Sequence, residues 1–167
     1  MKKMLLAALV LVAGSAGATA DDHADCPMHA AHAARRAAVD HRHDEATGVR
    51  HEHAEHHFLI NPDGGTIRLE ARDAGDQGAR NRIREHLQVV TSAFAAGDFA
   101  IPMRIHDEVP PGVDTMKKMK AAIRYTFQPT DKGGEVRITT KDATALAAVH
   151  LFMRFQIEDH GTGDPTE

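Results

Sequence analysis

Cys26, Met28 and His29 place a thiol, a thioether and an imidazole within the run Cys26-Pro27-Met28-His29. Thiolate and thioether sulfur suit Cu(I); thiolate and imidazole, without Met28, suit Zn(II). His32 lies close enough to act as a fourth ligand. Most of the other histidines also lie early in the chain: His23, His41, His43, His51 and His53, with His56 and His57 at the junction to the first alternating stretch. His41-x-His43, His51-x-His53 and His56-His57 are closely spaced imidazole pairs, and on a helix His53 and His57 would share a face. Neutral imidazole binds Zn(II), Cu(II) and Ni(II). The density of ligands is the signal here, more than any one pair. Further along, His86, His106 and His150, with Met103 near His106, are candidates for an internal site.

The expected metal set is therefore Cys26, Met28, His29, His32, His51, His53, His56, His57, His86, His106 and His150, with copper or zinc as the ion. Met116 and Met119 read as core methionines, and His160, beside Asp159, as a partner of a helix C-terminal dipole. Catalytic patterns are sparse. Cys26 stands outside any segment that would preorganise a nucleophile. There is no G-x-S-x-G elbow, P-loop, dinucleotide fingerprint, H-E-x-x-H or C-x-x-C-H. His106-Asp107 is the one pair on which an enzymatic reading would rest.

The surrounding chain says where such a site would operate. Lys2-Lys3, an apolar run and Ala18-Thr19-Ala20 have the order of a secretory signal, so residues 1–20 are expected to be removed on export to the periplasm or medium. The apolar run is too short to span a membrane. The formal net charge of −4 includes the two signal lysines, so the exported chain is more acidic still. That charge argues against nucleic-acid binding. A single cysteine excludes an internal disulfide. Residues 21–55 are rich in Ala, His and Arg and poor in large aliphatics, and are expected to form a disordered tail ahead of one domain at residues 56–165.

The domain is expected to be α+β. Residues 121–129 and 135–140 alternate apolar and polar positions around Lys132-Gly133-Gly134, which predicts a hairpin with positive-φ glycines in its turn. Asp142 is an N-cap. Leu146, Val149, Met153 and Ile157 then recur at helical spacing until Gly161. The buried face of that helix is expected to be Val149, Phe152, Met153 and Ile157, against Ile123, Tyr125, Val136 and Ile138. Residues 58–61, 66–72 and 79–96 repeat the pattern around Pro62-Asp63-Gly64-Gly65, and His86-Leu87 aligns with His150-Leu151. Duplication predicts two β-hairpin-plus-helix units in one four-stranded antiparallel sheet with helices on one face. Residues 97–111 read as an irregular connection, followed by a short helix at 115–120.

Two resemblances add to this. Cys26-Pro27-Met28-His29 resembles the core of short heavy-metal-binding segments in some copper and heavy-metal export proteins. The stretches PDGGTIRLEA, GDFAIPMRIHDEVPPGV and HLFMRFQIEDHGTGD resemble a family of small exported bacterial proteins of unknown function. Some members carry the label aspartate carbamoyltransferase; this chain lacks that enzyme's Ser-Thr-Arg-Thr phosphate-binding run. The resemblance implies one shared domain and no activity. The functional expectation is an exported metal-binding or metal-buffering protein. The alternative is a non-enzymatic interaction module that binds a periplasmic protein or a small ligand, its histidine-rich tail incidental.

Overall fold

The computed structural model describes residues 27–167. Residues 1–26, including the signal-like segment and Cys26, lie outside the described residues. The fold is α+β, with two hairpins in one antiparallel sheet of order β1-β2-β4-β3: β1 (Ala54–Asn61), β2 (Gly64–Ala71), β3 (Ile123–Pro129) and β4 (Gly133–Thr140). The helices are α1 (Pro27–Thr47), α2 (Gln77–Ala96), α3 (Ala100–His106), α4 (Val113–Lys118) and α5 (Ala143–His160). The connection expected to be irregular thus contains α3, and the short helix after it starts at Val113.

Strand alternation divides the sheet into an apolar and a polar face. Phe58, Ile67, Leu69, Val136, Ile138, Ile123 and Tyr125 are buried beneath the helices. The opposite face carries Arg68 paired with Glu135 at 2.8 Å, and Arg137 bonded to Asp63. All four residues expected on the buried face of α5 are in the core. Their partners differ from expectation. Helix α5 packs mainly on β1 and β2, while α2 packs on β3 and β4. Each helix crosses over the other hairpin, so neither half can bury its apolar face alone.

The registers display the duplication directly. Phe58 pairs with Ile67 in the first hairpin, as Phe127 pairs with Val136 in the second. Ile67 and Val136 then pair with each other between β2 and β4, so a pseudo-two-fold axis passes between them. Helix equivalence is set by the caps. Asp76 accepts from the Ala79 amide, and Asp142 from the amides of Thr144 and Ala145. This alignment superposes the buried positions Ala79 on Ala145, Ile83 on Val149 and Leu87 on Met153. It also overturns the expected match of His86 with His150: His86 corresponds to Phe152, and His150 to Arg84.

The paired glycines serve close approach more than turn geometry. Of the four, only Gly64 has φ in the left-handed range, at 152°. A Cβ there would lie 2.0 Å from the Ile138 carbonyl oxygen, and one on Gly133 would lie 2.3 Å from that of Leu69. Glycine thus lets the two central strands approach at both ends of their pairing.

The expected disordered tail is corrected from Pro27 onward. Residues 27–47 form α1, His51–His53 a one-turn 3-10 helix, and Ala54 and Glu55 open β1. Helix α1 docks against α3 and α5 through Val39, His43 and Thr47, one residue per turn. Arg35 pairs with both Glu108 and Asp159, and the Arg42 Nε donates to the Ile105 carbonyl at 2.5 Å. The composition lacks large aliphatics, but a stripe of one Val, one His and one Thr between alanines seats a helix when arginines tie its flanks. His53 and His57 consequently share no helix face: His53 ends the 3-10 turn and His57 is in β1.

Candidate functional site: a buried histidine cluster

Five histidines from five elements converge between α1, the β1 edge and the end of α5. His43 comes from α1, His56 from β1, His86 from α2, His106 from α3 and His160 from α5. Ring centroids lie 4.8 Å apart for His43–His56, 5.0 Å for His56–His160 and 5.5 Å for His43–His160. His86 flanks His43 at 6.1 Å, and His106 flanks His160 at 5.0 Å. Phe58 floors the group, 4.3 Å from His56 and 5.2 Å from His160.

The pseudo-symmetry shows what is unusual here. The register that equates Phe58 with Phe127 equates His56 with Tyr125. The cap alignment equates Phe94 with His160 and Val90 with Gln156. In one half Phe94 and Tyr125 pack edge-on at 5.7 Å and complete an ordinary aromatic core. In the other half the same two positions hold His160 and His56. A phenylalanine and a tyrosine, the latter with its own hydroxyl buried and unpartnered, are thus replaced by imidazoles at the matching place in the fold. Burying polar groups there costs free energy unless they are bonded.

They are bonded only in part. The His43 Nε2 and His56 Nδ1 are shielded from solvent and have no hydrogen-bond partner, and neither has the Gln156 Nε2. Desolvation favours the neutral form of the three central rings, of which His43 is buried and His56 and His160 are partly exposed. The His43 pKa is pushed down to about 4 by desolvation, with His86 nearby adding to the effect. His56 and His160 are likewise driven well below the usual histidine range, chiefly by desolvation and then by neighbouring rings. His86 is lowered by burial, offset in part by a hydrogen bond to the Ala46 carbonyl. Neutral rings keep a lone pair on one nitrogen, which is the form that ligates a metal.

His106 is held more firmly. Its Nδ1 faces the Asp159 Oδ2 at 2.5 Å and its Nε2 faces the Gln156 Oε1 at 2.9 Å. Burial would raise the Asp159 pKa, but hydrogen bonds from Arg35 and His106 outweigh it and hold the carboxyl below its usual range. The expected pair His106-Asp107 does not form a unit. Asp107 ends α3 with φ 56° and is exposed, while His106 turns inward.

The remaining candidates are dispersed. Met28, His29 and His32 lie on the exposed first turns of α1. His51 contacts Asp44 at 3.3 Å and His53 contacts Glu52 at 3.4 Å, both at the surface. His57 Nδ1 bonds the Asp164 Oδ1 at 2.9 Å, and the same carboxylate accepts from the Phe58 amide at 2.8 Å. His150 Nε2 donates to the Asn61 carbonyl at 2.9 Å, a structural bond. Of the expected set, the fold brings together His56, His86 and His106. It adds His43 and His160, which the sequence reading left out of that set. Their positions carried a signal: His43 lies midway between Val39 and Thr47 at helical spacing, and His160 continues the Met153–Ile157 stripe.

A cavity of about 470 Å³ opens above the cluster, lined among others by Asp40, His43, His51, His56, His57, Arg72, His160 and Thr162. Among the described residues, no three His, Cys, Asp or Glu side chains stand with their donor atoms arranged to hold a metal ion. The donor chemistry nevertheless fits one, because neutral imidazoles with unpartnered nitrogens sit together. Also among the described residues, no helix is long and apolar enough to cross a membrane. Comparisons with protein-family models, curated proteins and solved structures give no match for this chain.

Proposed function

We propose that this is an exported metal-binding protein whose principal site is built from His43, His56 and His160. One observation carries the reading: His56 and His160 occupy positions where the pseudo-symmetric half has Tyr125 and Phe94, and His43 of α1 joins them with its Nε2, like the His56 Nδ1, buried and unpartnered. A metal ion would supply the interaction those nitrogens lack. Because the donor atoms are not arranged around one point, the rings would have to turn to close on an ion. His106, with Asp159 and Gln156, buttresses His160 from behind.

Cys26, Met28, His29 and His32 make a second, sulfur-containing group near the start of α1, suited to capturing copper or zinc before delivery. The signal-like segment supports a site of action in the periplasm or outside the cell. Isothermal titration of the exported chain with Zn(II) and Cu(II) tests the proposal. The expected result is a stoichiometric site that is lost in the triple variant His43→Phe, His56→Phe, His160→Phe, while binding by the Cys26 group and the weak surface histidines remains. Equal affinity in the parent and the triple variant would sink it.

The cavity over the cluster supports a second reading, a non-enzymatic module that binds a small ligand or a periplasmic partner. Under it, filling the cavity mouth by Thr162→Phe abolishes ligand binding and leaves the metal titration unchanged.

A further inference from the structure

The three central imidazoles come from separate elements. His56 and His160 belong to β1 and α5, which share the core, whereas His43 belongs to α1. The docked face of α1 is thin for a helix of 21 residues. Its buried side chains are Val39, His43 and Thr47; from Met28 to Ala37 every residue is exposed. The ties beyond that stripe include the Arg35 ion pairs, the Arg42 hydrogen bond and the hydrogen bond of His86 to the Ala46 carbonyl. The Arg35 and Glu108 side chains are both nearly half exposed, which weakens their contribution. His43 sits at the centre of the docked face, and its Nε2 is unpartnered and shielded from solvent. A helix held this lightly opens more readily than the sheet beneath it.

Building on the metal reading, we infer that the site takes a borderline divalent cation, Zn(II), Cu(II) or Ni(II), and that the ion closes α1 onto the domain by recruiting His43. The donors are all imidazole nitrogens with no sulfur among them, the set that borderline divalent ions favour and the softer Cu(I) does not require. With α1 open the site has two core ligands and an exposed face; with α1 docked it has three and is reached through the cavity above the cluster. Ion binding and helix docking are then one equilibrium, and any partner that reads the α1 surface reads the metal state.

Amide exchange of the full exported chain, with and without Zn(II), tests this. An ion that binds only the closed form suppresses opening in proportion to its concentration over its dissociation constant. At a free concentration about 100 times that constant, exchange through local opening of residues 36–47 should slow by about 100-fold. Trypsin cleavage at Arg36 and Arg42 should slow in parallel. His43→Phe keeps a ring in the pocket and removes the nitrogens, so it should abolish the slowing while leaving weaker two-ligand binding. His29→Ala with His32→Ala should leave the slowing intact, which separates the cluster from a surface pair on α1. Stoichiometric Zn(II) binding with unchanged α1 exchange would overturn the inference and leave the metal reading standing. Slowing that persists in His43→Phe would overturn it likewise. Failure to bind Zn(II) at all would overturn both. In a chain carrying Cys26→Ser and Met28→Leu, which removes the sulfur donors near α1, binding of Cu(I) tighter than of every divalent ion would overturn the assignment of ion class.

Discussion

His43, His56 and His160 set the acid limit of the metal-free fold. Each is neutral when folded because burial lowers its pKa, His43 to about 4, whereas an unfolded histidine takes up a proton near 6.5. Below that value the unfolded chain binds protons that the folded chain does not. Stability is therefore full above about pH 6.5 and declines as pH falls toward the folded pKa, by up to about 1.4 kcal/mol per pH unit for each group. Thermal melts of the chelated protein should show the midpoint falling between pH 7 and pH 5. His43→Phe should flatten that fall by about one proton's worth. A melting temperature that is constant over this range would contradict the burial of these rings. Phe152 is a simpler case. It is 1% exposed and packs edge-on to Phe94 and Phe99. Phe152→Ala should cost about 3–5 kcal/mol, read as a lower denaturant midpoint.

The end of the chain is tied to the sheet edge by one carboxylate. Asp164 accepts from the Phe58 amide, the His57 ring and the Thr162 hydroxyl. Burial would raise its pKa, and these three hydrogen bonds reverse the shift. Edge strand β1 thereby has one outward amide covered, and the segment after α5 is held beside the cavity mouth. Asp164→Ala should cost about 1–3 kcal/mol and raise the exchange rate of the Phe58 amide selectively. If that amide exchanges no faster than in the parent, the tie contributes nothing. Helix α5 itself depends on its first turn, where Asp142 bonds two amides at 2.8 and 3.0 Å. Asp142→Ala should lower stability by about 0.5–2 kcal/mol without altering metal affinity, because the cap lies at the far end of the helix from His160.

Across the whole molecule, the pseudo-two-fold supplies its own control. Phe94 and Tyr125 show what the fold places at the positions of His160 and His56 when no site is needed. The double variant His56→Tyr, His160→Phe copies that arrangement into the second half. It should fold with unchanged circular dichroism, lose the part of the acid sensitivity that His56 and His160 contribute and bind Zn(II) no better than the surface histidines do. A double variant that fails to fold would mean the two halves are packed too differently for the exchange, and would refute the equivalence drawn from the registers. An unchanged metal affinity would remove His56 and His160 from the site.

The local pattern of the sequence determined the two hairpins, the Asp142 cap, the buried stripe of α5 and the sheet they form. Those features depend on neighbours within a turn or a hairpin, so periods of two and 3.6 residues reveal them. Histidine density also marked the chain as rich in metal donors. Tertiary structure alone decided which histidines meet. His43 and His160 are 5.5 Å apart through packing between segments at opposite ends of the described chain, a relation no local spacing encodes. Residues 27–55 read as a tail in the sequence for a related reason. Their helix has few apolar residues of its own and gains its place from arginines bonded to Glu108, Asp159 and Ile105 on distant elements. The crossing of α2 and α5 over each other's hairpins was equally hidden, because apolar stripes state that a face is buried and not against which strand it lies.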